Sequence, residues 1–239
     1  MPKLPTQRWT VLLERLSHRF RSRRFRSSGI SAESKACAFD NVMEVARDIA
    51  KHNPRALRDL IRALLLPLQS QHLIAVAEKG AHAAPSEIDA DTFFFDASAL
   101  VSFYDYWVQP TPEYRIDLSR DIVLTTPWHR GRYTSALWSI GAQKGFDAWT
   151  QDDNHRLSVL LPWGITFVHG GNHSIAAGIL AGEGTLLAEE VLDATSLMDL
   201  VSCDGQHYRS KSTGKAIARV QDHRRAAVFE IGRLILERE

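Results

Sequence analysis

The feature that most constrains the fold of this sequence is an apolar strand that passes through two glycines directly into a helix. Residues 165–169 (ITFVH) have the character of a buried strand, Gly170 and Gly171 follow, and residues 172–180 are typical of a helix. Paired glycines permit a turn with positive φ and let a ligand approach the main chain. The helix start adds unpaired N–H groups and a positive dipole end, which favour a phosphate or another anion. An anion site at this turn is therefore predicted, while a glycine turn without a ligand fits the same spacing.

Side chains in the first turn of this helix complete the candidate site. His173 is placed to donate a hydrogen bond to the anion, and Asn172 and Ser174 are both suitable helix caps. Ala176 and Gly178 are small enough to let the helix pack closely on a sheet. The predicted anion-binding set at this turn is Gly170, Gly171, Asn172, His173 and Ser174.

The N-terminal half of the chain is helical in pattern. Apolar residues recur at helical spacing over residues 31–78. Asn53 and Pro54 form a helix start, with Asn as the N-cap and Pro in the first turn. We expect Pro67 to end the helix that begins there. Residues 79–91 are small, polar and turn-rich, and predict a loop.

The character of the sequence changes at Pro110 and Pro112. The aromatic-rich residues 92–107 before them predict a helix, with a buried strand as the competing interpretation. After them, short apolar runs alternate with helical patterns. We therefore expect a helical region over residues 1–110 and a second domain over residues 111–239.

The second domain is predicted to be α+β or α/β, because strands and helices of these lengths alternate along it. Leu157–Leu161 and Ile165–His169 are joined by Pro162-Trp163-Gly164, which predicts a hairpin. The other predicted elements are strands over residues 116–124 and 185–192, an edge strand within 204–216, and helices over 131–144, 172–180, 194–201 and 217–238.

The first 27 residues are strongly basic. They contain eight Lys or Arg and only Glu14 as an acid, a net charge of +7 in a chain whose total is +1. Apolar and arginine residues both recur there at helical spacing. Three interpretations stay open: a helix that contacts phosphate on nucleic acid or a membrane surface, an organellar transit peptide, and an ordinary solvated helix.

The turn sequence Gly170-Gly171-Asn172-His173-Ser174 resembles the Gly-Gly-Cys-His-Arg signature of sulfiredoxins and the Gly-x-x-Arg box of ParB partition proteins. Upstream, Pro127 is followed by Arg132, Ser135 and Ser139 with a spacing similar to that of the sulfiredoxin helix. The resemblance covers residues 114–202. It implies a small mixed sheet with flanking helices, and a phosphate cradle for ATP or another NTP, with Mg²⁺ in the ParB group.

Two departures from that signature limit what the resemblance implies. The nucleophilic cysteine of sulfiredoxins is Asn172 here, so reduction of a sulfinic acid is not expected. The signature arginine is Ser174, so a phosphate-binding cation is missing. Arg130, Arg132 and His129 are the candidates for that charge, because in the resembling fold the first strand–helix turn neighbours the glycine turn; a solvated loop is the alternative for this segment.

Other polar clusters carry weaker signals. Asp152-Asp153-Asn154-His155 is either an acidic turn for Mg²⁺ or a solvated hairpin end. Asp204, His207 and Arg209 form either a catalytic cluster or an exposed loop. The histidines lack zinc-site spacing, so no metal ligands are predicted. Four tryptophans are expected in the core, with base stacking as the alternative: Trp128, Trp138, Trp149 and Trp163.

Composition narrows the remaining classes. Apolar residues are 44% and charged residues 24%, which is typical of a soluble globular protein. No apolar run reaches the length of a membrane span, and two cysteines predict reduced thiols, so a cytoplasmic protein is expected.

Three functions are compatible with the sequence, and whether the chain is an enzyme stays open. The first is nucleotide-phosphate binding, with NTP-dependent phosphotransfer or hydrolysis in which His173 is the catalytic group and Arg130, Arg132 and Ser135 assist. The second is nucleic-acid binding or a nuclease through residues 1–27. The third is a non-catalytic interaction protein that retains the fold, which the identities of Asn172 and Ser174 favour.

Overall fold

The computed structural model describes residues 32–79, 88–95 and 113–237. The basic segment over residues 1–27, Pro110 and Pro112, most of the predicted loop over 79–91, and the aromatic stretch beyond residue 95 lie outside the described residues. The helices are α1 Ala32–His52, α2 Leu57–Lys79, α3 Arg130–Ser139, α4 Asn172–Ala181, α5 Leu197–Leu200 and α6 His223–Leu236. The strands are β1 Arg115–Asp117, β2 Val123–Leu124, β3 Leu157–Leu161, β4 Ile165–Val168, β5 Thr185–Leu187, β6 Glu190–Asp193, β7 Val201–Cys203, β8 His207–Ser210 and β9 Ala216–Arg219.

Helix α2 continues through Pro67, so the predicted end at this residue is wrong. Proline removes the N–H that would bond the carbonyl of Ala63, but both residues face solvent, where water can satisfy that carbonyl. Buried side chains continue beyond the proline at helical spacing, as Gln69, Leu73 and Val76 show. Packing of this face therefore outweighs the loss of one hydrogen bond.

Asn53 precedes a short 3-10 turn, Pro54–Ala56, that leads into α2, although its side chain makes no capping bond. Within the described part of the chain, the stretch Pro54–Lys79 is long and apolar enough to cross a membrane by length and composition. The same criteria are met by core helices of soluble proteins, and Leu57, Ile61 and Leu65 are buried in the apolar core.

The central sheet has four strands in the order β2-β4-β3-β6. The predicted hairpin is confirmed, since β3 and β4 pair antiparallel with Leu157 opposite Val168. β2 pairs parallel to β4, with Leu124 opposite Phe167, and β6 pairs parallel to β3. Helices α3 and α4 follow β2 and β4. Because the carboxyl ends of parallel strands lie at the same edge, this pairing brings both helix starts to that edge.

Two predicted strands are each divided in the structure. The single strand predicted over residues 116–124 is interrupted because Asp117 accepts hydrogen bonds from the Ser119 N–H (2.8 Å) and hydroxyl (2.6 Å), which turns the chain. The strand predicted over 185–192 becomes β5, which pairs with β1, and β6, which belongs to the central sheet.

Two helix boundaries and the place of one strand in its sheet also differ from the predictions. α3 ends at Ser139 rather than at residue 144, and Gly141 (φ 128°) turns the chain into a separate 3-10 turn. α6 begins after residue 222, where the Asp222 carboxylate accepts the Arg224 N–H at 2.7 Å as an N-cap. β8 is the middle strand of the sheet β7-β8-β9, not an edge strand.

One face of the central sheet carries a cluster of six buried aromatic side chains, which we call the aromatic cluster. The Phe95 ring lies 4.4 Å from the Tyr208 ring and the Phe94 ring 4.5 Å from the Trp163 ring, between centroids. These residues share one core with α1, α2 and α6. The members are Phe93, Phe94, Phe95, Trp163, Tyr208 and Phe229.

Phe93, Phe94 and Phe95 lie in neither a helix nor a strand, so the regular element predicted there is wrong for these residues. A strand sends successive side chains to opposite faces, whereas the bend after a 3-10 turn buries all three consecutive rings.

The opposite face of the central sheet is covered by α4 and by the β1–β5 ribbon. Val159 of β3, Ile175 of α4, Ile116 of β1 and Leu186 of β5 form a second apolar cluster there. Small mixed sheets with flanking helices confirm the predicted α+β class.

Candidate functional site

The glycine turn between β4 and α4 has the predicted form of a strand, a tight turn and a helix. Gly171 has φ 76°, and α4 begins at Asn172. A Cβ on Gly171 would lie 2.3 Å from Cδ2 of His155, and one on Gly170 would lie 2.5 Å from the Asn154 carbonyl oxygen. The space that the sequence interpretation assigned to a ligand beside the glycines is therefore filled by residues 154 and 155. An anion can reach this helix start only from the side on which its N–H groups are free.

Asp152, His155 and Ser174 form a chain of hydrogen bonds behind the turn. The His155 Nε2 lies 2.6 Å from the Ser174 hydroxyl, and its Nδ1 accepts the Asp152 N–H at 2.7 Å. An imidazole that accepts at Nδ1 carries its proton on Nε2 when neutral. It therefore donates to Ser174, the reverse of the role of a general base that activates a serine.

Burial keeps this imidazole neutral. His155 is 6% exposed, and its burial lowers its pKa, an effect that the Asp152 carboxylate at 3.0 Å partly offsets. The Ser174 hydroxyl also donates to the Gly171 carbonyl at 3.0 Å. These hydrogen bonds thus hold the loop before β3 against the first turn of α4. The sequence offers a magnesium turn or a solvated hairpin end for residues 152–155, and neither interpretation accounts for the burial of His155.

Asn172 joins the two helix starts rather than capping its own helix. Its side-chain oxygen accepts the Thr126 N–H at 2.7 Å and the Thr125 hydroxyl at 2.8 Å. Thr125 and Thr126 precede α3, so these bonds hold the loop after β2 against the start of α4. The amide side chain is thereby engaged with protein.

The His173 ring accepts a hydrogen bond from the main chain through its Nε2. The His129 N–H donates to the His173 Nε2 at 3.0 Å, so the neutral ring carries its proton on Nδ1. Burial lowers the pKa of His173, and its electrostatic interactions with Arg132 and His129 lower it further. At neutral pH the ring is uncharged and offers one donor, the Nδ1–H.

The start of α3 carries the cations of the site. The His129 side chain caps this helix by accepting the Arg132 N–H at 3.1 Å. Arg130 and Arg132 are exposed, and neither makes an ion pair with a carboxylate in the described part of the chain. The Arg132 guanidinium lies 5.5 Å above the ring of Trp128, which is 46% exposed.

Unpaired main-chain donors lie at the start of α4. Among the described residues, no acceptor bonds the N–H groups of Asn172, His173 or Ser174, and no side chain caps the helix. The structure thus brings together two helix starts, two arginines and two imidazoles. We call this arrangement the helix-start cluster; its members are Thr125, Thr126, Trp128, His129, Arg130, Arg132, Asn172, His173 and Ser174.

Some of the polar residues singled out from the sequence lie outside the helix-start cluster or make other contacts. Ser135 is exposed on α3 beyond the first turn, and its carbonyl accepts the Ser139 hydroxyl at 2.7 Å. Asp204, in the turn between β7 and β8, forms an ion pair at 2.6 Å with Arg209 of β8. No group of three or more His, Cys, Asp or Glu in the residues described here is arranged to hold a metal ion.

Of the four tryptophans predicted to lie in the core, two are buried and two are exposed. Trp149 and Trp163 are buried as expected, whereas Trp128 and Trp138 are 46% and 60% exposed, so their prediction as core residues is wrong. The roles of Thr125, Thr126 and His155 were not identified from the sequence. The two threonines immediately before Pro127 were the only local signal of a polar loop there.

Comparison with known proteins places this chain in a family without assigning it a reaction. No curated protein and no solved structure matches it significantly. A family model matches residues 22–239, which is most of the chain and includes the whole of the site. The chain therefore belongs to DUF6710, a family of unknown function.

Proposed function

We propose that this protein binds the phosphate groups of a nucleotide at the paired starts of α3 and α4. The observation that carries the proposal is the pair of bonds that hold the two helix starts together. These are the His129 N–H to the His173 Nε2 at 3.0 Å and the Thr126 N–H to the Asn172 side chain at 2.7 Å. They leave the free N–H groups of α4 beside the cations of α3.

The electrostatics of this edge favour an anion. Each helix has ten residues, and a helix start is equivalent to about half a positive charge. Arg130 and Arg132 add two full charges that no described carboxylate neutralises. Phosphate oxygens accept hydrogen bonds from main-chain N–H groups and arginines together, as at other helix starts.

The resemblance to ParB and sulfiredoxin proteins supports the same ligand class. In this chain the side chains at the two variable signature positions are not free to bind phosphate. The Asn172 amide is hydrogen-bonded to Thr126, and the Ser174 hydroxyl is hydrogen-bonded to His155. Main-chain N–H groups, the His173 Nδ1–H and the two arginines are the donors that remain. Mg²⁺ would arrive with the nucleotide and neutralise part of its charge.

For the reaction, the geometry supports binding more directly than transfer or hydrolysis. His173 is uncharged, accepts one protein bond, and has one donor free. That donor can stabilise negative charge that develops on a phosphate oxygen, which is the role of a catalytic group in phosphoryl transfer. We therefore propose an NTP-binding protein, with phosphotransfer or hydrolysis as the activity to assay.

The proposal is tested by titrating pyrophosphate and ATP, with and without Mg²⁺, into the wild-type protein and the double variant Arg130→Ala/Arg132→Ala. We expect the double variant to bind at least about tenfold more weakly, because charge-assisted hydrogen bonds are each worth about 1.5–3 kcal/mol. The matched control is Arg219→Ala, an exposed arginine on β9, which should bind like the wild type.

His173→Ala gives a second readout. It removes both the free donor and the acceptor for the His129 N–H, so the rise in melting temperature caused by ATP should disappear. Wild-type protein that binds neither ATP nor pyrophosphate would refute the proposal. Stabilisation by short DNA but by neither phosphate compound would refute it too, and would favour the nucleic-acid alternative.

A further inference from the structure

A groove of about 390 Å³ lies between the end of α2 and one side of α3. Its volume is within the range of small-molecule sites, about 300–1,000 Å³. The lining side chains come from both helices: Ala77 of α2, and Arg130, Tyr133, Thr134, Leu137 and Trp138 of α3. Arg130 therefore belongs to this groove and to the helix-start cluster, so the two are continuous at that residue.

The α3 residues of the groove follow one stripe of the helix. Their spacing from Arg130 is three, four, seven and eight residues, which places them on a single face. At 1.5 Å per residue, the distance along the axis from residue 130 to residue 138 is about 12 Å. That is about the length of a nucleoside monophosphate, with its phosphate at the helix start and its base at the far end.

The two ends of the groove differ in chemistry. Arg130 and the start of α3 are positive, whereas the far end is aromatic. Trp138 is 60% exposed, and its ring lies 6.0 Å from the Phe146 ring in an edge-to-face arrangement. An exposed indole at a groove end is suited to stacking against a planar ring. Between the ends, Tyr133 and Thr134 of the lining carry hydroxyl groups that can bond a sugar hydroxyl.

We infer that this groove holds the ribose and base of the nucleotide, with the base stacked against Trp138, and this inference rests on the proposed function. The ligand class it names is a nucleoside 5′-phosphate rather than a free phosphate or a sugar phosphate. The α2 wall of the groove lies outside residues 114–202, the part of the chain that resembles ParB and sulfiredoxin proteins. The α3 wall, which carries Trp138, lies inside that range.

The experiment compares three probes by calorimetric titration: AMP, ribose 5-phosphate and pyrophosphate. For the wild type, AMP should bind about tenfold more tightly than ribose 5-phosphate, because stacking on an aromatic side chain is worth about that factor per base. Trp138→Ala should reduce AMP binding to the level of ribose 5-phosphate and leave pyrophosphate binding unchanged. Leu180→Ala, which removes another exposed apolar side chain, is the matched control.

A second variant fills the groove instead of removing its aromatic end. Ala77→Trp places a large side chain from the exposed end of α2 into the groove, so AMP binding should fall while pyrophosphate binding stays the same. Thermal unfolding shows that each variant is folded before titration.

The outcomes separate the two proposals. If pyrophosphate binds but AMP binds no more tightly than ribose 5-phosphate, the groove inference is wrong and the phosphate site stands. The same holds if both groove variants bind AMP like the wild type. If the wild type binds none of the three probes and no ATP, the phosphate site itself is wrong and the groove inference fails with it.

Discussion

The aromatic cluster and the helix-start cluster both depend on β4, yet they are held together by different interactions. In the aromatic cluster, Phe93, Trp163 and Phe229 are each no more than 2% exposed, and they belong to one apolar core that includes Phe167 of β4. In the helix-start cluster, Asn172 and His173 are half-buried and are fixed by hydrogen bonds of defined direction. One region stabilises the fold, and the other presents polar groups to solvent.

This contrast determines where a substitution should change stability and where it should change binding. Burial of apolar area contributes about 25 cal/mol per Å², independent of direction, so the aromatic cluster supplies much of the stability. A hydrogen bond contributes a net of about 1 kcal/mol but fixes geometry. The helix-start cluster should therefore lose ligand affinity before it loses the fold.

The largest expected effect is in the aromatic cluster. Trp163→Ala should lower the free energy of unfolding by about 3–5 kcal/mol, because it removes a buried indole and leaves a cavity. The indole N–H also donates to the Phe229 carbonyl at 3.3 Å, a bond that would be lost. Denaturant unfolding measures the change, and pyrophosphate titration of the folded variant should match the wild type. A weakened phosphate affinity would contradict the separation of the two regions.

Acid pH tests the next largest effect. His72 of α2 is 7% exposed, and burial, with the charges of Arg225 and Lys79, lowers its pKa from 6.5 to about 4. The unfolded chain therefore takes up a proton on this side chain between pH 6.5 and about 4 while the folded protein does not. Stability should fall as the pH is lowered through that window, by about 3 kcal/mol for this residue, and level off below it.

The variant His72→Phe should remove most of that slope when unfolding is followed from pH 7 to pH 4. A smaller slope should remain, because burial also lowers the pKa of His155 and His173 in and beside the helix-start cluster. The exposed His52→Phe is the control and should keep the wild-type slope. An unchanged slope in His72→Phe would show that the acid sensitivity comes from the helix-start region instead.

Features of this fold that depend on near neighbours in sequence can be predicted from it. The β3–β4 hairpin and the glycine turn are in this group, because strand periodicity, turn residues and helix pattern are all local. The α+β class follows from their alternation. The prediction at Pro67 fails because the hydrogen bond that proline removes is a local effect. The packing that stabilises α2 on both sides of Pro67 involves residues far away in the chain.

The contacts of the candidate site depend on pairing that local patterns do not contain. The helix starts converge because β2 lies parallel to β4, and the sequence of two short strands does not specify that neighbour. His155 and Ser174 are 19 residues apart, and only the fold places them 2.6 Å apart. The exposed position of Trp138 is likewise set by tertiary packing, since a tryptophan is expected in the core from its residue type alone.

The smallest effect separates backbone strain from side-chain packing within α4. Gly171 and Gly182 flank this helix with nearly the same conformation, φ 76° and 69°. A Cβ on Gly182 meets nothing within 4 Å, whereas one on Gly171 would overlap the His155 ring. Gly182→Ala should therefore cost about 1 kcal/mol of strain, and Gly171→Ala about 2–3 kcal/mol because the ring must also move. Equal losses in denaturant unfolding would mean that His155 does not brace the glycine turn. A larger loss at Gly171, accompanied by weaker pyrophosphate binding, would show that packing behind the turn also positions the N–H groups in front of it.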